Sequence, residues 1–251
     1  MAEQQGEAGM TWARACRLAA AALALCLLST GTTAKTLPLP DGLVGLNSEA
    51  GETLLLHSTA RQAYWNLSLQ FVTQKTQTYC GIASIVMVLN AVGAPAPATP
   101  ELEPYRIFTQ DNFFNDETEK ILPQTVLAKQ GTTLEQIGQL VESYGARAET
   151  HHAGDTTLDE FRRLARDHLA QPDQHVIVNY LRKSIGQERG GHVSPLAAYN
   201  ADADEFLILD VARYKYPPVW VKAAALFDAM STTDSDNENR TRGFVLIDAG
   251  H

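Results

Sequence analysis

Apolar side chains recur at helical spacing in three stretches of the chain and at strand spacing in four, and the two patterns divide it in half. Ile82, Ile85, Val86, Val88 and Leu89 follow Cys80 and Gly81 in a run that stops at Gly93-Ala94-Pro95-Ala96-Pro97. A glycine followed by prolines ends a helix, so the pattern predicts one from about Cys80 to Val92. Leu134, Ile137, Leu140, Val141 and Tyr144 predict a second up to Gly145, with Thr132 and Glu135 at capping-box spacing. Thr157 and Glu160 repeat the device before Leu158, Phe161, Leu164 and Leu169. From about residue 174 the period changes. His175–Leu181, His192–Tyr199, Glu205–Ala212 and Gly243–Ala249 are β-type runs, the middle two separated by the turn Asn200-Ala201-Asp202-Ala203-Asp204. The expected class is α+β, an N-terminal helical half packed on a C-terminal antiparallel sheet. Residues 35–47 are expected as an extended arm, 62–72 as an apolar and aromatic segment, 94–104 as a Pro-rich connector and 231–240 as a polar loop.

The first 34 residues differ in kind. Arg14 and Arg17 precede an apolar run, Leu18 to Leu28, and then Ser29-Thr30-Gly31-Thr32-Thr33-Ala34. A basic flank, a short apolar core and Thr32 and Ala34 at positions −3 and −1 are expected of a secretory signal with cleavage near Ala34, which places the mature protein in the periplasm. Met10 is an alternative start that sheds two acidic residues. The run is too short for a comfortable transmembrane helix, so no stable membrane insertion is expected. Cys26 lies inside the run behind Leu25, where lipidation would want a small residue. Residues 35–251 are then one catalytic domain, and Cys80 is its single cysteine, unable to form an internal disulfide. An exported chain that keeps one free thiol carries a liability that catalysis would explain. Net charge is −9 with no Lys/Arg cluster, which argues against nucleic acid as a partner.

A cysteine at a helix N-terminus meets unpaired N–H groups and the positive dipole end, which favour its thiolate. A nucleophile also needs a base and a group to orient the base. Among seven histidines, His192 follows Gly190-Gly191 and opens a strand, where Gly191 lets substrate backbone come close. His175 reads as core-edge, and His151-His152 as a solvated loop without metal-ligand spacing. A hairpin turning near residue 202 pairs Asp210 with Ser194, on the face of His192. Gln74, six residues before Cys80, is placed to donate with the Cys80 N–H to an oxyanion. Each residue has an ordinary alternative: a buried structural cysteine, a strand-end histidine bonded to backbone, a turn-capping aspartate. The order Gln, Cys, His, Asp is that of papain-like thiol enzymes.

Three blocks resemble the phytochelatin synthases, the glutathione γ-glutamylcysteinyltransferases: Tyr79-Cys80-Gly81-Ile82-Ala83-Ser84 with Val88-Leu89-Asn90-Ala91, Gly191-His192-Val193-Ser194-Pro195, and Leu207 to Val221 with its Asp210-Val211-Ala212-Arg213-Tyr214-Lys215-Tyr216-Pro217-Pro218. The similarity runs from about residue 37 to 248. It implies a papain-like fold in which Cys80 attacks the Cys–Gly amide of glutathione and holds a γ-glutamylcysteinyl thioester, with His192 as base and acid, Asp210 as orienter and Gln74 as oxyanion donor. Arg182 and Arg242 match positions of substrate-contacting arginines. The resemblance implies no tightly bound cofactor and no catalytic metal, with ions such as cadmium entering as glutathione thiolates. A homodimer is left open. No Cys-rich C-terminal part of the plant type is expected, and by that resemblance the chain is expected to be like the short prokaryotic relatives, which resemble glutathione hydrolases with weak transpeptidase activity. The competing expectations are a leader-peptide or general papain-like peptidase, and a non-catalytic thiol- or metal-binding periplasmic protein.

Overall fold

A computed structural model describes residues 35–250; the signal-peptide reading of residues 1–34, with Cys16 and Cys26, lies outside them. Among the described residues the helices are α1 (Glu49–His57), α2 (Gln62–Leu69), α3 (Cys80–Ala91), α4 (Asp116–Ile121), α5 (Gln124–Gln130), α6 (Leu134–Glu142), α7 (Leu158–Leu169) and α8 (Ala223–Met230). The strands are β1 (Val44–Gly45), β2 (Arg147–His152), β3 (Gln174–Leu181), β4 (Gly191–Asn200), β5 (Glu205–Ile208), β6 (Val219–Lys222) and β7 (Gly243–Asp248). They form one antiparallel sheet in the order β1-β6-β5-β4-β3-β7-β2. The α+β expectation and the split into a helical first half and a sheet-rich second half hold, with β1 and β2 added from the first half.

Side-chain alternation shows how the sheet is covered. A Cβ at Gly138 of α6 would collide with the Thr150 hydroxyl, whereas Phe161 of α7 packs on Phe244, the cross-strand partner of His151. Residues 150 and 151 point to opposite faces of a strand, so α6 and α7 lie on opposite faces of the sheet. The consequence appears in the centre of the sheet. Both alternating sets of β3 and β4 are buried, from His175 to Tyr180 and from His192 to Asn200. Helix α3 is apolar all round and buried from Cys80 to Leu89, packed against β4 and flanked by α2 and α6.

Several sequence expectations need correction. The capping box of α6 is one residue later than read: Thr133 Oγ1 accepts from Gln136 N–H, and Gln136 Oε1 accepts from Thr133 N–H. His151 and His152 are in β2 rather than a solvated loop, and His152 is buried. The third β-run stops at Ile208 instead of Ala212, because side chains take over its N–H groups. Val211 N–H donates to Ser194 Oγ and Ala212 N–H to Asp210 Oδ1. The arm contributes β1, which pairs with β6, and neither β6 nor α8 was read from the sequence. The hairpin pairs one residue off the expected register next to the turn, Asn200 facing Glu205 and Ala198 facing Leu207; a bulge between Leu196 and Ala198 restores it, so that Leu196 faces Ile208, Leu209 N–H reaches Pro195 O, and Asp210 arrives beside Ser194.

Candidate active site

Cys80 is the first residue of α3, and no side chain caps that helix. Its leading N–H groups are left to whatever lies at the thiol. Burial alone would raise the Cys80 thiol. A hydrogen bond to His192, the charge of that ring, the Val193 backbone and the Arg182 guanidinium outweigh burial and hold the thiol below its ordinary value. Ser84, one turn on, donates to Cys80 O and tethers the helix to Val193 O of β4 at 3.2 Å.

His192 Nε2 lies 2.8 Å from Asp210 Oδ1 and 3.0 Å from Ser194 Oγ, which leaves Nδ1 as the nitrogen for the thiol. Burial lowers the ring, but the charge of Asp210 and hydrogen bonds to Asp210 and Cys80 prevail over burial and Arg182, so His192 is held above its ordinary value. Asp210 is fully buried. Its Oδ1 also accepts from Arg182 Nη2 and Ala212 N–H, each at 2.8 Å. Arg182 Nη1 is 2.8 Å from Oδ2 as an ion-pair contact rather than an aligned hydrogen bond. Burial raises this carboxyl; the charges and hydrogen bonds of His192 and Arg182 overcome it and hold the group well below the usual carboxylate range. The guanidinium is itself buried, bonded to Gln187 Oε1 and 5.4 Å above the Tyr216 ring. A lowered thiol beside a raised imidazole is the arrangement for thiolate attack with an acid at hand.

The trio opens into a cleft of about 220 Å3 whose lining includes Cys80, His192, Asn179, Thr132, Asp234 and Arg242. Two glycines set its shape. A Cβ at Gly81 would lie 2.5 Å from Thr132 Oγ1, so only glycine lets α3 start against that wall. At Gly191 a Cβ would rest on the Arg242 guanidinium, 3.4 Å from Nη2. Arg242 is 8% exposed. Its Nη1 donates to Thr232 Oγ1 at 3.1 Å and to Thr233 O, its Nη2 lies 3.4 Å from Asp234 Oδ1, and its Nε has no partner. A buried guanidinium with a free N–H on a cleft can receive a carboxylate.

Of the residues expected from sequence, Cys80, His192, Gly191 and Arg242 line the cleft, with Asp210 and Arg182 behind His192. Gln74 is buried beside the same segment, its backbone N–H on Val211 O. Its Nε2 donates to Thr76 O at 2.6 Å, and its Oε1 has no partner. His175 is apart from the site; burial pushes its ring down to about 4, which keeps it neutral. Ser194, Asn179, Thr132 and Asp234 were not read from the sequence as residues of the site. Ser194 had a signal, since two positions on a strand return to the same face as His192.

The phytochelatin synthase family profile matches residues 34–244, more than half of the chain and every residue of the site. The chain belongs to the phytochelatin synthase family. It is 36% identical over 216 residues to glutathione gamma-glutamylcysteinyltransferase 1 of Triticum aestivum, covering 85% of this chain and 42% of that protein. Glutathione gamma-glutamylcysteinyltransferase 1 of Lotus japonicus is 34% identical over 224 residues, 88% of this chain and 43% of the relative. The Schizosaccharomyces pombe enzyme of the same name is 28% identical over 221 residues, 85% of this chain and 50% of its own length. This phytochelatin synthase family member thus spans half or less of the length of these relatives. Among the described residues, no group of three or more His, Cys, Asp or Glu could hold a metal ion, and no helix is long and apolar enough to cross a membrane.

Proposed function

We propose that the chain cleaves the Cys–Gly amide of glutathione through a γ-glutamylcysteinyl thioester on Cys80, on a papain-like arrangement of helix and sheet. The observation that carries this is the Cys80–His192–Asp210 constellation, with a lowered thiol and a raised imidazole, in a chain of this family. Cys80 Sγ attacks the carbonyl carbon of the Cys–Gly amide. The oxyanion receives the Cys80 N–H and the second amide hydrogen of Gln74, a donor typically worth about 3–4 kcal/mol in such a site. His192 gives its proton to the departing glycine nitrogen. The same ring then deprotonates the acceptor, a second glutathione or water, that resolves the thioester. Transfer yields phytochelatin; hydrolysis yields γ-glutamylcysteine.

Arg242 takes the α-carboxylate of the γ-glutamyl end and Asp234 its ammonium group, each offering the charge opposite to that of the group it meets. Arg182 acts through Asp210, whose charge it shares with His192, so the substrate contact expected of it falls to Arg242. Heavy-metal ions such as cadmium enter as thiolates of the substrate. Export to the periplasm, with cleavage near Ala34, completes the reading.

The test is a mass-spectrometric time course of the purified chain with glutathione, with and without cadmium, beside Cys80→Ala. Cys80-dependent glycine release is expected, and the balance of γ-glutamylcysteine against longer oligomers divides hydrolysis from transfer. No glycine release in either condition, with cleavage of unrelated peptides instead, would replace this reading with a general peptidase.

A further inference from the structure

Glu135 takes no part in the chemistry above, yet its carboxylate gathers three donors from two other parts of the fold. Oε2 accepts from Asn237 Nδ2 at 2.6 Å. Oε1 accepts from His152 Nε2 at 2.5 Å and from Arg240 Nη1. Asn237 and Arg240 sit in the hairpin closed by the bridge between Thr233 and Thr241. His152 Nδ1 faces Thr241 O, so both ring nitrogens of His152 meet oxygen atoms. Burial raises the Glu135 carboxyl, but hydrogen bonds from His152, its own backbone and Asn237 prevail and keep it ionised. An isolated surface ion pair would deserve little weight. Here one partly buried carboxylate joins three donors, one of them the buried His152.

The hairpin is one wall of the cleft, bearing Asp234, Asp236 and Arg242, while Lys129 to Thr132 line the cleft just before α6 begins. The hairpin turns through left-handed backbone at Glu238 (φ 53°) and Asn239 (φ 58°), conformations that side-chain-bearing residues hold only when surrounding contacts enforce them. Beyond Glu135, Gly154 N–H on Thr241 Oγ1 and Ala153 N–H on Arg242 O hold the hairpin base, and among the described residues the tip has besides only the exposed ion pair of Arg240 Nη2 with Asp155 Oδ2 at 3.8 Å. We propose that Glu135 is a positioning residue that sets the width of the cleft, fastening the wall of Arg242 and Asp234 to the wall of Thr132 through His152, Asn237 and Arg240. The kinetic consequence rests on the glutathione reading; the tether does not.

The experiment compares the full chain with Glu135→Ala. Amide hydrogen exchange over residues 232–242 should quicken about tenfold or more while β3 and β4 stay protected. KM for glutathione in the glycine-release assay should rise roughly tenfold with kcat within about twofold, since the reacting trio is untouched. Glu135→Gln, which keeps one acceptor and loses the charge, should fall between. Unchanged exchange in the hairpin, or a fall in kcat at constant KM, would overturn the proposal. A wild-type chain that releases no glycine removes the substrate reading and leaves the exchange experiment to decide the tether. Should Glu135→Ala not fold, Asn237→Ala tests the same hairpin from its surface side.

Discussion

The two sides of the cleft are built on different physical principles. His192, Ser194 and Asp210 sit on or just beyond a ladder of antiparallel strands, and the charged groups there are at most 4% exposed. The facing hairpin, residues 232–242, has almost no ladder of its own and is held by side chains, above all Glu135 and Arg242. Bond rearrangement needs groups fixed to within a fraction of an ångström in a site that excludes water, and a sheet supplies that rigidity through its backbone. Recognition of a charged end group tolerates more movement, and a side-chain tether supplies enough. The rigid side should therefore fail in kcat and in folding when damaged, and the tethered side in KM.

The largest effect is expected at His192. Replacing it by Ala should lower glycine release on the order of 10^3-fold in kcat with little change in KM, measured by steady-state kinetics. A change confined to KM would deny the division between the two sides. Arg182→Met comes next, and it breaks the rigid side through folding. It leaves Asp210 buried with half its positive partners gone, which should cost about 3–5 kcal/mol in denaturant unfolding. Arg182→Met with Asp210→Asn should recover part of that loss, because the uncompensated charge is then removed. The acid limb sharpens the point. A depressed Asp210 contributes stability above its unfolded value, about 3.9, and loses it as pH falls through the lower folded value. Without Arg182 the folded value rises toward the unfolded one, so this acid-linked loss should be smaller and should be complete at higher pH. On the tethered side, Arg242→Ala should raise KM for glutathione about 10- to 100-fold, the range for a lost hydrogen bond to a charged group, with kcat nearly kept. Equal losses in both constants would mean that Arg242 also shapes the transition state.

The same contrast explains what could be read from the chain. The rigid side was legible because its chemistry rides on periodic patterns. The turn at 200–204 marked the hairpin, and with the bulge between Leu196 and Ala198, which left no mark in the sequence, the pairing carries Asp210 to His192. Cys80 was legible from the apolar run behind it. Arg182 was placed by resemblance, but its ion pair with Asp210 depends on a short 3-10 turn after β3 that leaves no period in the sequence. Polar β2 escaped because it is an edge strand with five of its six residues exposed or only half covered, so Arg147 to His152 never alternate cleanly. The hairpin escaped for a deeper reason. Ser231 to Arg240 read as a polar loop, and a loop's position comes from partners distant in sequence, here Glu135 a hundred residues earlier. The Asp210 strand was overextended for a similar cause, since Ser194 and the Asp210 carboxylate capture N–H groups that a continuing ladder would have used.

The smallest predicted effect isolates the tether from the helix that bears it. Thr133 caps α6 two residues before Glu135, and its hydroxyl accepts one of the N–H groups the helix would otherwise leave unpaired. Thr133→Ala should cost about 1 kcal/mol of stability, read as a shift of roughly 2–4 °C in Tm for a chain of this size. Gln136 Oε1 still holds the Thr133 N–H in that variant, so the backbone that presents Glu135 keeps one of its two fasteners. KM for glutathione should then stay at the wild-type value although the helix start is weaker. A KM that climbs as it does in Glu135→Ala would show that the cleft is set by the position of the first turn of α6, with the carboxylate only following it, and the side-chain tether would lose its separate standing.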